Sequence, residues 1–289
     1  MMFHIHGVMQ MTDAADDQKL TRFRLAVAAV QQSLARHSVT LLIWDLDVNR
    51  PVIQGSATCI ELRGVRYLVT AAHVVRNSQG QQRDPRAIGV IFRRDGSTNN
   101  TFVRRILAIG GRPLDSLDIA LLELSAEGAD EIATSKDFLP ETRVLKGVSA
   151  DESRLFAVYG APSKLSRASL DDKIFCAGAM CYVTISCDPF PSHLDQSHDI
   201  ALEYNKTSNI SPSQEGTVEA PDPPGLSGGG IWLITEPQEG VFWDPSESKL
   251  IGVQNRWVPS AGLVRGTQVQ FAISLLDDAG PICNPDSPG

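Results

Sequence analysis

The sequence predicts an all-β protein preceded by one helix. Two patterns carry this. From Ser38 onward, short apolar runs alternate with turn-forming residues, the signature of many short strands. Ahead of them Leu20, Phe23, Val27, Val30 and Leu34 recur at helical spacing. The 289 residues are 42% hydrophobic and 21% charged, a globular composition. A chain of this length buries about 70–75% of its unfolded surface, so no staple is needed to hold it.

In chain order, the helix is expected over Leu20 to His37. Strands are expected near 39–47, 52–62, 66–70, 87–92, 102–109 and 119–124. A second set is expected near 143–148, 155–160, 174–186, 200–204, 231–234, 249–257 and 267–273. The polar stretch Ser125 to Glu141, which contains Pro140, divides the two sets. Asp277 to Gly289 holds three prolines and two glycines and reads as a loose tail.

The formal net charge of −8 argues against nucleic acid or an anionic membrane surface as the main partner. Arg22, Arg24 and Arg36 read as a solvated helix face. The opening residues are short, carry His4 and His6, and run into Asp13, Asp16 and Asp17. The apolar run Leu25 to Val30 is too short for a signal core or a membrane span. A cytoplasmic protein with reduced thiols is expected. Cys176, Cys181 and Cys187, with His193 and His198 beyond, invite a metal reading, but their spacing is irregular and has no C-x2-C unit. They fall in or beside an apolar run, where free cysteine packs as a small hydrophobe. Neither a metal nor an organic cofactor is expected.

Three segments carry chemistry. In Pro224-Gly225-Leu226-Ser227-Gly228-Gly229-Gly230 the chain turns tightly around a hydroxyl, and Gly225 lets the main chain aim N–H groups outward. The N–H groups of Gly225 and Ser227 are candidates for an oxyanion hole. Glycine-rich turns that merely hold a serine are also common. In Tyr67-Leu68-Val69-Thr70-Ala71-Ala72-His73-Val74-Val75 an apolar strand ends in two small residues and a histidine, an exit suited to a base that must reach another strand. In Asp118-Ile119-Ala120-Leu121-Leu122-Glu123-Leu124 an acid stands at the mouth of a strand, able to orient an imidazole. Asp199-Ile200-Ala201-Leu202 repeats that tetrapeptide and makes Asp199 a rival acid. Asp115 reads as a turn residue.

The order His73, Asp118, Ser227 and the Thr-Ala-Ala-His and Gly-x-Ser-Gly-Gly segments together resemble the trypsin-like (chymotrypsin-fold) serine peptidases, bacterial members above all. The resemblance spans roughly Ser38 to Leu276. Leu250-Ile251-Gly252-Val253 is similar to the strand after the family's nucleophile. Gly266 to Ile273 is similar to its last strand, with Phe271-Ala272-Ile273 resembling the HtrA branch. The resemblance implies two six-stranded antiparallel β-barrels, at 38–130 and 142–276, after an N-terminal segment 1–37 that holds the helix. It implies a serine endopeptidase acting on a protein or peptide through an acyl-enzyme, with His73, Asp118 and Ser227 catalytic. Pocket walls would come from Asp222 and from Asn255, Arg256 and Trp257. Asp222 reads either as a partner for a basic side chain or as a turn acid between two prolines. Trp257 stands near where many relatives have glycine, which implies a shallow pocket.

Two departures from the family matter. Val74 stands where secreted relatives have a cysteine, so Cys59 lacks the family's partner. Leu226 stands where they have the aspartate that receives a new N-terminus, so activation by N-terminal insertion is not expected. Two other functions stay open: a non-catalytic peptide-binding module on the same fold, and a protease effector in bacterial stress or phage defence held by a regulatory protein partner.

Overall fold

The structure, a computed structural model, describes residues 2–3, 14–45, 50–92, 98–100, 102–111, 116–147, 154–169, 174–207, 209–210, 217–235 and 243–278. Helix α1 runs Ala14–Ala35. It buries Val27, Val30 and Leu34 in the main core and leaves Leu25 exposed. Burial of side chains of this size contributes about 1.5–3 kcal/mol each. The helix ends where the Arg36 and His37 N–H groups turn back onto Ser33 and Leu34, and Ser38 Oγ donates to the Leu34 carbonyl.

Among the described residues the two main sheets, mostly antiparallel, each hold six strands of four or more residues. The first half supplies β1 (Ser38–Asp45), β2 (Arg50–Leu62), β3 (Val65–Thr70), β4 (Ile88–Ile91), β5 (Val103–Gly110) and β6 (Asp118–Leu124). They pair in the order β4-β1-β2-β3-β6-β5, extended by Thr98–Asn100 on β4 and by Leu139–Pro140 beside β2. The second half supplies β7 (Leu155–Gly160), β8 (Met180–Thr184), β9 (Asp199–Glu203), β10 (Gly230–Ile234), β11 (Lys249–Val258) and β12 (Leu263–Gln268). These pair in the order β8-β7-β10-β11-β12-β9, with Met2–Phe3 added in parallel to β8.

Counted within each half, both orders are the same ring, 1-2-3-6-5-4, opened at a different joint. In the second half the Cys187 N–H donates to Ala201 O and the Glu203 N–H to Ile185 O, so the end of β8 meets β9 across that joint. This repeated ring is the double-barrel topology of the chymotrypsin-like fold. Asp118 opens the sixth strand of its half and Asp199 the third of its own. The repeated tetrapeptide therefore opens strands at different places in the two rings.

The second half departs from the sequence reading in three places. Of the strand expected over 143–148, the described residues 143–147 form none: Glu141–Arg143 is a 3-10 turn, and Val144 makes one isolated bridge to Leu250. The run 174–186 is split in two at Gly178, where a Cβ would stand 2.4 Å from the Leu165 carbonyl oxygen. Its first part, Ile174–Ala177, pairs with Ser166–Ser169 instead. The last strand starts and stops earlier than expected, and Phe271-Ala272-Ile273 lie in helix α3 (Gln270–Asp278). The polar stretch between the halves carries helix α2 (Ala126–Ala133), capped by Ser125 Oγ on the Gly128 N–H. Beyond Asp278 the expected tail lies outside the described residues.

Candidate active site

Strand β3 ends buried at Thr70, and Ala71 and Ala72 are fully buried. His73 follows in a 3-10 turn, Ala72–Val75, whose valines pack into the core. The small residues let Gly111 approach: a Cβ there would stand 2.8 Å from His73 N. Asp118 holds this histidine twice. Its Oδ1 accepts the His73 backbone N–H at 3.0 Å and its Oδ2 lies 2.7 Å from Nδ1. A carboxylate can only accept, so the neutral imidazole carries its proton on Nδ1 and leaves a lone pair on Nε2. The Asp118 side chain is 10% exposed and that of His73 is 33% exposed, so the acid is sheltered and the base can be reached.

Asp118 is fixed in turn from the other sheet. Its N–H donates to Thr267 Oγ1 on β12 at 3.3 Å, and Asn255 Nδ2 donates to the same oxygen at 2.8 Å. Arg265, also on β12, donates to the Ser116 carbonyl at 2.6 Å and to Asp199 Oδ1 at 2.7 Å. The rival acid is thus committed to an arginine, and among the two only Asp118 meets His73. Asp115 lies outside the described residues.

The Ser227 segment is two successive turns. The Leu226 N–H donates to Pro223 O and the Gly229 N–H to Leu226 O. Gly228 has φ of +85°, and a Cβ there would stand 2.0 Å from Ser56 O. Only glycine fits such a position without strain. The turn is pinned to both sheets. Gly228 N–H donates to Gln254 O on β11 at 2.7 Å, and Ser56 N–H on β2 donates to Ser227 O at 2.8 Å. At Gly55 a Cβ would meet both Ser227 O, at 2.6 Å, and a Val74 methyl, at 2.9 Å. Gly55 therefore lies between the Ser227 backbone and the residue after His73, with no room for a side chain. Ser227 and Gly225 are half-buried, and among the described residues neither of their N–H groups has an acceptor.

The remaining pocket residues lie as follows. Asp222 is ion-paired with Lys164 and, at 2.8 Å, with Lys206. Lys164 first and then Lys206 hold its carboxyl below the usual range. Asn255 is buried with its amide on Thr267, and Arg256 is exposed. Trp257 sits edge-on to Tyr204, ring centroids 6.2 Å apart, and Tyr204 packs on Tyr182. The Tyr204 hydroxyl donates to the Pro221 carbonyl, just ahead of Asp222. Among the described residues no group of three metal-ligating side chains assembles. Cys59 and Cys181 are buried and unpaired, and burial pushes each thiol up to about 12. Gly55, Ser56, Ser163, Arg265 and Thr267 went unnoticed in the sequence. No local pattern marks them, because their contacts join segments as much as 169 positions apart.

No protein-family model matches the chain, and no curated protein matches it. Among solved structures, a Glu endopeptidase in complex with MPD matches at 11% identity and a TM-score of 0.49, over 85% of this chain and 90% of that one. A second structure concerns the Sesbania mosaic virus VPg protein, whose coupled folding and binding is described as driven by aromatic interactions. It matches at 15% identity and a TM-score of 0.44, over 82% of this chain and 89% of that one. At such identity neither likeness bears on activity.

Proposed function

We propose that the chain is a serine endopeptidase. The observation that carries this reading is the 2.7 Å contact of His73 Nδ1 with Asp118, which leaves Nε2 free to act as a base toward Ser227. Nε2 takes the hydroxyl proton as Ser227 Oγ bonds to the carbonyl carbon of a peptide. The N–H groups of Gly225 and Ser227 hold the oxyanion that forms. The imidazolium, stabilised by Asp118, gives its proton to the leaving amine, and an acyl-enzyme remains. Water then attacks that ester and loses a proton to His73; the Ser227–acyl bond breaks and Ser227 regains its proton. The reaction so written uses water and three side chains.

Asp222 is already neutralised by two lysines, and Trp257 is braced by Tyr204. We therefore read the pocket as shallow and suited to a small side chain rather than a basic or large apolar one. The unpaired Cys59, Cys181 and Cys187 favour a reducing compartment such as the cytoplasm. The test is to map new N-termini in a proteome digested with the wild-type chain or with Ser227→Ala. Cleavages made only by the wild type, after small residues, are expected. The same cleavages from both proteins would refute the reading.

A further inference from the structure

Leu226, before Ser227, is fully buried in the second core and carries no charge that could fix the turn by an ion pair, so backbone contacts must order it. The peptide between Pro224 and Gly225 is held from one side. The Pro224 carbonyl accepts the Ser163 N–H at 2.8 Å and the Ser163 hydroxyl at 3.0 Å. A trans peptide is planar, and its N–H points opposite to its C=O. Fastening the Pro224 oxygen to Ser163 therefore turns the Gly225 N–H the other way, away from Ser163. Gly225 has φ of +90°, and a Cβ there would stand 2.4 Å from Ser163 N, so the approach is open to glycine alone. The following carbonyl, that of Gly225, accepts from Ser56 Oγ at 3.3 Å, and this hydroxyl in turn accepts the Ala161 N–H at 2.8 Å.

We propose that Ser163 is a positioning residue: its N–H and hydroxyl latch the Pro224–Gly225 peptide in the orientation that receives the oxyanion. The inference rests on the endopeptidase reading above. Ser163 touches no reacting atom and works through Gly225. The latch comes from the segment after β7, so the hole is formed in the uncut chain.

The site allows a graded test. Ser163 is the first residue of a short 3-10 turn, and Pro162 before it is extended, with ψ of 138°. The backbone there suits proline, but the ring's Cδ takes the place of the N–H that meets the Pro224 oxygen, so Ser163→Pro removes both donors and also forces that oxygen out of the latch. Ser163→Ala removes only the hydroxyl, and Ser163→Thr keeps both. The measurement is active-site titration with an aryl fluorophosphonate from about pH 5 to 9, which gives the labelled fraction, the limiting rate and the pH midpoint separately.

With an unchanged labelled fraction and midpoint, the limiting rate should fall about 2–10-fold in Ser163→Ala, as for one neutral hydrogen bond. In Ser163→Pro it should fall about 10²–10³-fold, as for a lost oxyanion donor. Ser163→Thr should stay within about twofold of wild type, a span smaller than one such hydrogen bond. A wild type that labels, with Ala and Pro variants labelling at the same rate, would overturn the latch and leave the enzyme reading standing. A shifted midpoint, or a lower labelled fraction at an unchanged rate per site, would also overturn it. A wild type that fails to label would remove both.

Discussion

Asp118 spends both carboxylate oxygens on His73, one on the backbone N–H and one on the ring. The amide in Asp118→Asn has one acceptor oxygen for these two donors, so the Nδ1–H tautomer loses its support. Activity should fall by about 10⁴ with the fold intact. Asp199→Asn should act differently. Arg265, 12% exposed at its side chain, would lose its charged partner, which costs about 3–5 kcal/mol when the pair is buried. That variant should melt earlier but turn over normally per folded molecule. Rates and melting curves of the two variants decide this, and the reverse result would make Asp199 the acid. The sequence presented both aspartates at strand starts and favoured Asp118, in the same half as His73, without the contacts that hold each acid. The choice lies in Thr267 and Arg265, which reach the Asp118 segment from 149 positions away.

At the level of elements, the end of α1 is joined through His37 to the stretch between the two sheets. Its Nδ1 donates to Asp137 O at 2.9 Å, and Arg143 Nη1 donates to Nε2 at 3.4 Å. Both nitrogens are thus used in the neutral form. Burial lowers the pKa of His37 below 6.5, only partly opposed by the Asp137 carbonyl. The unfolded chain then takes up the proton before the folded one does. The stability tied to neutral His37 is present above about pH 6.5 and is lost as the pH falls from there toward the folded value. Calorimetry from about pH 7.5 to 5.5, above most carboxylate titrations, should show a melting temperature that declines below about 6.5. The decline should be flatter in His37→Gln; equal slopes would contradict the assignment. The helical period of α1 and the strands of the first half were legible because each buries a regular apolar pattern. Phe271-Ala272-Ile273 misled because residues suited to a strand sit here on a helix that buries Ala272 and Ile273.

Over the whole molecule, His73 and Asp118 belong to one sheet and the Ser227 turn leads into the other. The bonds Ser56 N–H to Ser227 O and Asp118 N–H to Thr267 Oγ1 cross between them. The all-β pattern was legible from turn-bounded apolar runs and the double barrel from the family resemblance, whereas these crossing bonds were not legible, since no single segment contains both ends. Because they do not involve the N-terminus, a chain beginning at Ala14, which keeps α1, should react with an active-site probe within about twofold of the full chain. A rise of more than about tenfold, well beyond one neutral hydrogen bond, would reveal activation by an N-terminal cut. The central claim is that Ser227, His73 and Asp118 form one reacting group. Intact-mass analysis after treatment with a fluorophosphonate tests it most directly. The account predicts one adduct per chain, mapped to Ser227, and none within the same time in Ser227→Ala or His73→Ala. An unlabelled wild type, an adduct on another residue, or labelling of His73→Ala at the wild-type rate would contradict it.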